Sequence, residues 1–316
     1  MTPLKKLIFI LLIGFTGLFI AGKIADKTYQ RFWHPFFQKL DVAFKDSTYY
    51  DIIYIGNSTV HFGINPYYID SITRLKSYNI GYGGAHIETM SMLLHGYLQH
   101  HPKPKAILLS IDYSTFTPTN DEADPCLFFY YLQNQPVADY LSAKGYKVGL
   151  IKIMPFLKYS YFDDYNRTSI FTGLFHQSPF KKHATIYNGF LSDTFDSVES
   201  ANLEADKKPL ADKKKATLFY QLLEYCKEEN IHVICIFPPR FYISADDRYA
   251  HIGSAPDTII ETALAKYHIP FKRYDTEGLF QQDEFSDKSH LNTPGSKKYS
   301  IMLGHYIDSC LSYTKQ

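Results

Sequence analysis

Ile52-Ile53-Tyr54-Ile55-Gly56-Asn57-Ser58-Thr59 reads as a buried strand that runs into a turn of small residues and presents a serine. The β-branched and aromatic run suits a central strand. Gly56 permits a sharp turn of the backbone. Ser58 then stands where a strand hands over to a helix or loop. In an open α/β sheet, ligands bind at that edge. A serine there is either a nucleophile or, more plainly, the N-cap of the next helix, a position serine favours.

The chain on either side fits a sheet of this kind. Tyr67 to Leu75 has a helical pattern, and Ser77 to Ile80 reads as a second short strand. It leads into Asn79-Ile80-Gly81-Tyr82-Gly83-Gly84-Ala85-His86, where three glycines in four positions mark a backbone that approaches something closely. A helix follows from about Ile87 to Gln99, with Met90, Leu93, Leu94 and Leu98 on one face. Pro102 and Pro104 end it, and Ala106 to Ile111 is a third strand. The β–α–β–α–β order predicts an α/β fold, a three-layer, doubly wound parallel sheet. Regularity returns late in the chain, with helices over 216–229, 255–267 and 296–311 and strands over 231–237 and 271–274. Between about 115 and 215 the pattern loosens. Aromatic runs (Phe128-Phe129-Tyr130-Tyr131, Tyr159-Ser160-Tyr161-Phe162) alternate with charged ones (Asp206-Lys207-Lys208, Lys213-Lys214-Lys215). That region reads as an insertion or cap, the kind of segment that shapes access to a site.

At the N-terminus, Lys5 and Lys6 precede a run from Leu7 to Gly22 that carries no charge. It is slightly short of the roughly 20 residues of a spanning helix, and Lys6 and Lys23 extend it by snorkelling. The reading preferred is an uncleaved anchor over residues 1–25; a cleaved signal peptide is the competing one, without a clean A-x-A site. The paired lysines put the short N-terminus in the cytoplasm and the body on the periplasmic or extracellular side. Residues 26–45 read as a juxtamembrane helix, broken or restarted at Pro35. Residues 46–316 make the main domain with its insertion. Among 316 residues, 33 basic against 32 acidic side chains leave a net charge of +1, which offers no field for nucleic acid. None of Cys126, Cys226, Cys235 and Cys310 forms a C-x-x-C pair. With no H-E-x-x-H either, neither a metal nor a cofactor is expected.

A serine hydroxyl becomes a nucleophile when a base takes its proton, usually a histidine oriented by a third group. Asp287 and His290 are three apart in a loop before the last helix, a spacing that brings carboxylate and imidazole to one side of a turn. As an isolated pair they read equally as a polar helix entry. Asn57 beside the serine, His86 beside the glycine loop, Asp112 at a strand end and Arg240 after Pro238-Pro239 are candidates to line a pocket. His95, His100 and His101 read as a solvated helix end, and His176, His183 and His251 fall in no metal-binding pattern.

Taken together, Gly56-Asn57-Ser58, Asn79-x-Gly81-x-Gly83-Gly84 and Asp287-x-x-His290-Leu291-Asn292, in that order, resemble the SGNH (GDSL-like) hydrolase superfamily. The resemblance covers about residues 46–115 and 216–312. It implies Ser58 as nucleophile, His290 as base and Asp287 as its orienting carboxylate. It also implies an oxyanion hole made by the N–H groups of Ser58 and Gly84. Two departures stand out: Asn57 replaces the family's Asp, and the third block's Asn is missing after Leu108-Leu109-Ser110-Ile111, where Asp112 follows. The anchor and the Ile-Gly-Asn-Ser…Gly-Ile-Asn-Pro wording look most like membrane-anchored D-alanine-transfer (DltD-type) and polysaccharide O-acetylation proteins. That resemblance implies an acylated envelope glycan as substrate and a membrane-bound O-acyltransferase as partner. The competing expectation is a catalytically inactive glycan-binding or scaffold protein. The absence of Gly-x-Ser-x-Gly argues against an α/β-hydrolase elbow.

Overall fold

The computed structural model describes residues 2–119, 123–175, 186–192, 209–242, 248, 252–275 and 278–313. Asp206-Lys207-Lys208, His176, His183 and His251 lie outside them. The chain divides into two compact units, Met1–Gln38 with Pro125–His183, and Lys39–Asp124 with Ala184–Gln316.

The second unit is a five-stranded parallel sheet in the order β2-β1-β3-β6-β7. Its strands are β1 (Ile52–Ile55), β2 (Ser77–Asn79), β3 (Ala106–Ser110), β6 (His232–Phe237) and β7 (Phe271–Arg273). This is one of the two common doubly wound orders. Ile53 pairs with Tyr78 on one side and Ile107 on the other, which places the Ser58 strand centrally. Both faces are covered, so β1 and β3 are buried throughout. One face (Ile52, Tyr54, Leu108, Ile234, Ile236) packs on α3 (Ser58–Gly63), α4 (Pro66–Thr73) and α11 (Thr293–Tyr313) through Val60, Ile69, Tyr299, Leu303 and Ile307, and on Ile64 in the link between α3 and α4. Alternation sends Ile53, Ile55, Ile107 and Leu109 to the opposite face. The buried sides of α5 (Ile87–Leu98), α9 (Lys213–Glu228) and α10 (Ala255–Tyr267) belong to that layer, with α9 beside both α5 and α10.

Helix α9 starts three residues before the sequence pattern suggests, because the Asp212 carboxylate caps the N–H groups of Lys214 and Lys215. A small hairpin joins β4 (Ile186–Tyr187) and β5 (Phe190–Leu191) through Asn188-Gly189, both at positive φ. That is the geometry for which Asn-Gly is preferred. The hairpin meets the edge of β2, with the Asn79 N–H donating to Asn188 O at 2.9 Å.

Two glycines let α3 lie close to the sheet. A Cβ on Gly56 would come within 2.4 Å of Val60, and one on Gly81 within 2.6 Å of Val60 and 3.0 Å of the His61 backbone nitrogen. Gly81→Ala is therefore expected to destabilise the chain by about 1–3 kcal/mol through overpacking. Thermal unfolding of the full chain in detergent checks this; an unchanged midpoint would refute the close approach.

The first unit opens with α1 (Pro3–Phe32), a single helix; the break at Trp33 before α2 (His34–Lys45), whose residues from Lys39 on belong to the second unit, puts Pro35 in the first turn of α2. Helix α1 is long and apolar enough to cross a membrane, and its apolar run is exposed. These features fit membrane anchoring and are shared by signal sequences. The unit continues with α6 (Gln135–Ala143), α7 (Val148–Ile153), a 3-10 segment over Pro155–Tyr161 and α8 (Asp164–Phe175). Cys126, Cys226, Cys235 and Cys310 are free thiols.

Candidate active site

Ser58 is the first residue of α3, immediately after the carboxyl end of β1. The cap of this helix is Asn57, not the serine. The Asn57 Oδ1 accepts from the Thr59 N–H at 2.9 Å and the Thr59 hydroxyl at 2.8 Å. Its Nδ2 donates to Asp112 Oδ2 at 2.8 Å and Ser114 Oγ at 3.2 Å. Asp112 in turn caps the turn after β3, its Oδ1 accepting from the Ser114 N–H at 2.9 Å and the Ser114 hydroxyl at 2.6 Å. Asn57 and Asp112, both candidate pocket residues, thus spend their polar atoms on fixing the two strand ends to one another. Ser58 is left with its hydroxyl unclaimed by capping.

That hydroxyl meets His290. Ser58 Oγ lies 2.7 Å from His290 Nε2, across 232 positions of sequence. His290 Nδ1 lies 2.6 Å from Asp287 Oδ2. The carboxylate at Nδ1 fixes the tautomer: Nδ1–H donates to Asp287, and Nε2 accepts from Ser58 O–H. Burial works against the Asp287 charge, but hydrogen bonding and charge from His290, with the N–H groups of Ser289 and His290, outweigh it and hold the carboxyl below the usual carboxylate range. The two N–H contacts, both to Oδ1, are 2.7 and 2.9 Å.

The loop that carries the pair is built from its own residues. Phe285 and Leu291 form an isolated antiparallel bridge. The Ser286 N–H donates to His290 O at 2.8 Å, and Asn292 Nδ2 donates to Asp283 O at 2.6 Å. Gly295 is required there, since a Cβ would lie 2.1 Å from Glu284 O. Helix α11 then pins the loop beside α3: Ser296 Oγ donates to Gly63 O at 3.0 Å, and the Asn65 N–H donates to Ser300 Oγ at 2.9 Å. The Phe62 ring packs edge-on near His290, centroids 6.2 Å apart.

The glycine loop runs alongside. Its start continues the sheet, with the Ile80 N–H donating to Tyr54 O and the Tyr82 N–H to Gly56 O, both at 3.0 Å. Gly84 adopts φ +69°, a left-handed conformation that favours glycine. Among the described residues, neither the Ser58 nor the Gly84 N–H has an acceptor.

Two residues that the sequence pattern gives no role hold this loop in place, Asn79 against α3 and Lys39 against α2. Asn79 Nδ2 donates to Val60 O at 2.7 Å and Ile64 O at 2.8 Å, closing the end of α3, while Oδ1 accepts from the Gly81 N–H at 2.9 Å. Lys39, from α2, donates to Gly81 O at 2.5 Å, and burial pushes its ammonium pKa well below the usual lysine value. Asn79→Ala strips the side-chain partner from the Ile64 carbonyl and the Gly81 amide and leaves Val60 O with the Ile64 N–H alone. The expected cost is about 2–4 kcal/mol, at about 1–3 kcal/mol per stranded group with partial relaxation. Chemical unfolding curves of the two chains test this, and an unchanged midpoint would dispose of the clamp.

The remaining candidates sit as follows. His86 is buried at the N-cap of α5, its Nδ1 2.5 Å from Lys215 Nζ, which also reaches Thr119 O at 2.8 Å. Arg240 follows β6 and stacks over Tyr242 at 5.9 Å; the next N–H, of Phe241, donates to Lys288 O at 2.8 Å in the His290 loop. His61, three residues after Ser58, is buried, and burial followed by the Lys39 charge keeps its imidazole well below the usual histidine range. Among the described residues, no three His, Cys, Asp or Glu side chains cluster as a metal site would need.

No family model matches the chain, and no curated protein does. Among solved structures, it is similar to one from Streptococcus pneumonia provisionally named a platelet activating factor. The identity is 10% over 88% of this chain and 92% of that chain, with a TM-score of 0.43. It is also similar to one from Bacteroides fragilis NCTC 9343 provisionally named an acylhydrolase. There the identity is 10% over 88% and 94% of the two chains, with a TM-score of 0.40. Likenesses this distant transfer neither an activity nor a substrate.

Proposed function

We propose that the chain is a serine-dependent acyl-ester hydrolase or O-acyltransferase. The observation that carries this is the hydrogen-bonded line from Ser58 Oγ through His290 to Asp287. Ser58 Oγ attacks the ester carbonyl carbon as its proton passes to His290 Nε2. Negative charge gathers on the carbonyl oxygen, and the N–H groups of Ser58 and Gly84 receive it. Collapse breaks the bond to the leaving alcohol, whose oxygen takes the proton back from Nε2. Water or a sugar hydroxyl then resolves the acyl-serine by the same steps in reverse. Asp287 holds the imidazole in the tautomer this needs and stabilises its transient charge.

Within this reading the substrate is an acylated glycan of the cell envelope, met on the outer side of the cytoplasmic membrane beside a membrane-bound O-acyltransferase. Supporting it are the apolar run of α1, which fits membrane anchoring, the positive residues Lys5 and Lys6 ahead of that run, and the motif resemblance. The deciding experiment is covalent labelling of the full-length protein by a fluorophosphonate together with turnover of short acyl esters. Both should be present in the wild type.

One observation favours a second reading, a non-catalytic glycan-binding scaffold. The end of β3 offers the carboxylate of Asp112, already engaged by Asn57, Ser114 and Thr115, and no amide donor. Glycan binding with neither labelling nor turnover would select it.

A further inference from the structure

We propose that the first unit rests a second surface on the bilayer that α1 enters: α7, the 3-10 segment Pro155–Tyr161 and the second half of α8 form a collar seated in the lipid interface. The occupant is the lipid of that bilayer, argued from four observations.

First, the collar touches α1 at the depth of its uncharged run. Phe156 packs edge-on against Phe15, centroids 5.9 Å apart, and lies next to Gly22. Phe15 is seven residues from Gly22, about 10 Å at 1.5 Å per residue. If Leu7–Gly22 lies in hydrocarbon, Phe156 reaches the same level.

Second, the polarity of the collar follows the axis of α1. On α8, Tyr165 packs on Trp33, Asn166 bonds to Tyr29, and Gly173 packs against Thr28, so the later residues of α8 meet α1 on the side of these contacts nearer the apolar run. Its outward residues change in the same direction, from Asp164, Arg167 and Thr168 to Phe171, Leu174 and Phe175. A surface bathed by water on all sides has no reason to be graded this way.

Third, the apolar side chains are outside. Ile153 is 74% exposed, Phe171 65%, and Leu150 and Leu174 44% each. Large apolar side chains left this exposed on two elements of one unit are what an interaction surface offers. Lys152 beside Ile153 has the stem and charge to snorkel. The exposed Tyr165 supplies an amphipathic ring of the kind found at membrane interfaces.

Fourth, the acid nearest the apolar run is neutralised by the collar. Asp26 pairs with the buried Lys158 ammonium at 2.5 Å and accepts from the Tyr159 hydroxyl at 2.6 Å, while that hydroxyl also reaches Gly22 O at 2.9 Å. A carboxylate one turn beyond an anchoring run would otherwise hold that end in water.

The test is site-directed spin labelling of the full-length chain in phospholipid nanodiscs, on a Cys310→Ser background. Labels go at Leu12 of α1, at Ile153 and at Phe171, one per sample. Collision with oxygen is compared with collision with a water-soluble nickel chelate. Several-fold enrichment of oxygen over nickel at Ile153 and Phe171, relative to the free label in buffer, is expected, in the direction seen at Leu12. Buffer-like ratios at Ile153 and Phe171 with a lipid-like ratio at Leu12 would overturn the collar while leaving the anchor. Buffer-like ratios at all three would overturn both. Low collision with both reagents at Ile153 and Phe171 would mean a protein partner covers the face, and would overturn it also. None of these labels depends on Ser58 chemistry, so failure here and failure of the esterase reading are distinct.

Discussion

Ser58→Ala is expected to abolish fluorophosphonate labelling and to lower ester turnover by on the order of 10⁴–10⁶-fold, the loss seen when a serine nucleophile working with its base is removed. The fold should be untouched, because Ser58 does not cap α3; Asn57 does. An equal melting temperature for variant and wild type is therefore part of the expected result. His290→Ala should lose nearly as much, and the double variant little more than either alone, because the two act as a unit. Labelling that survives in Ser58→Ala would place the nucleophile elsewhere. Turnover reduced in proportion across all variants, without loss of labelling, would point to a general loss of folded protein.

Asp287→Asn is the second large effect. The amide retains an oxygen for the N–H groups of Ser289 and His290, so the loop should hold. What changes is the partner of Nδ1. An amide N–H there favours the wrong tautomer, with the proton on Nε2 and no base facing Ser58. In serine proteases the equivalent change costs about 10⁴-fold in kcat. Asp287 has a side chain 56% exposed, and solvent screens its charge, so on the order of 10²–10³-fold is expected here. The carboxyl is held below its ordinary value. Its contribution to stability is therefore full above about pH 4, the unfolded value, and is lost as pH falls through the folded one. Melting temperatures of wild type and Asp287→Asn should converge as pH falls below about 4. A gap that stays constant to pH 2 would show that the charge does not stabilise the loop, and kcat unchanged by the substitution would remove Asp287 from the relay.

The sheet was legible because its strands are short, apolar and bounded by breakers. Ala255–Tyr267 was readable to the residue, with Pro256 at its start, and β3, β6 and β7 to within one residue at an end. Helix α3 was not legible. Six residues holding Thr, Val, His and Gly have little helical propensity, and the helix exists because Asn57 caps one end and Asn79 the other. The β4–β5 hairpin was marked by Asn188-Gly189 between apolar pairs, a local cue that the aromatic surroundings obscured. Ser58, Asp287 and His290, which the structure joins by hydrogen bonds, could be picked out as candidates from motif spacing. The Asn57–Asp112 pairing and the Lys39–Asn79–Gly81 clamp could not. Each joins groups tens of residues apart, and a buried lysine in a helical pattern looks on paper like any solvated one.

The separation of Ser58 from His290 bears on when the site comes into being. Ribosomes release the serine, its cap and the glycine loop long before the histidine. The contacts that seat the histidine come from Ser296 and Ser300 in the last helix. Domains fold as their chains emerge, and pairings this remote in sequence close last. A nascent chain that has emerged only as far as the glycine loop therefore carries a serine with no histidine beside it. The line from Ser58 to His290 closes only when the helix that carries Ser296 and Ser300 docks beside α3, a step that waits on residues more than 230 positions beyond the serine.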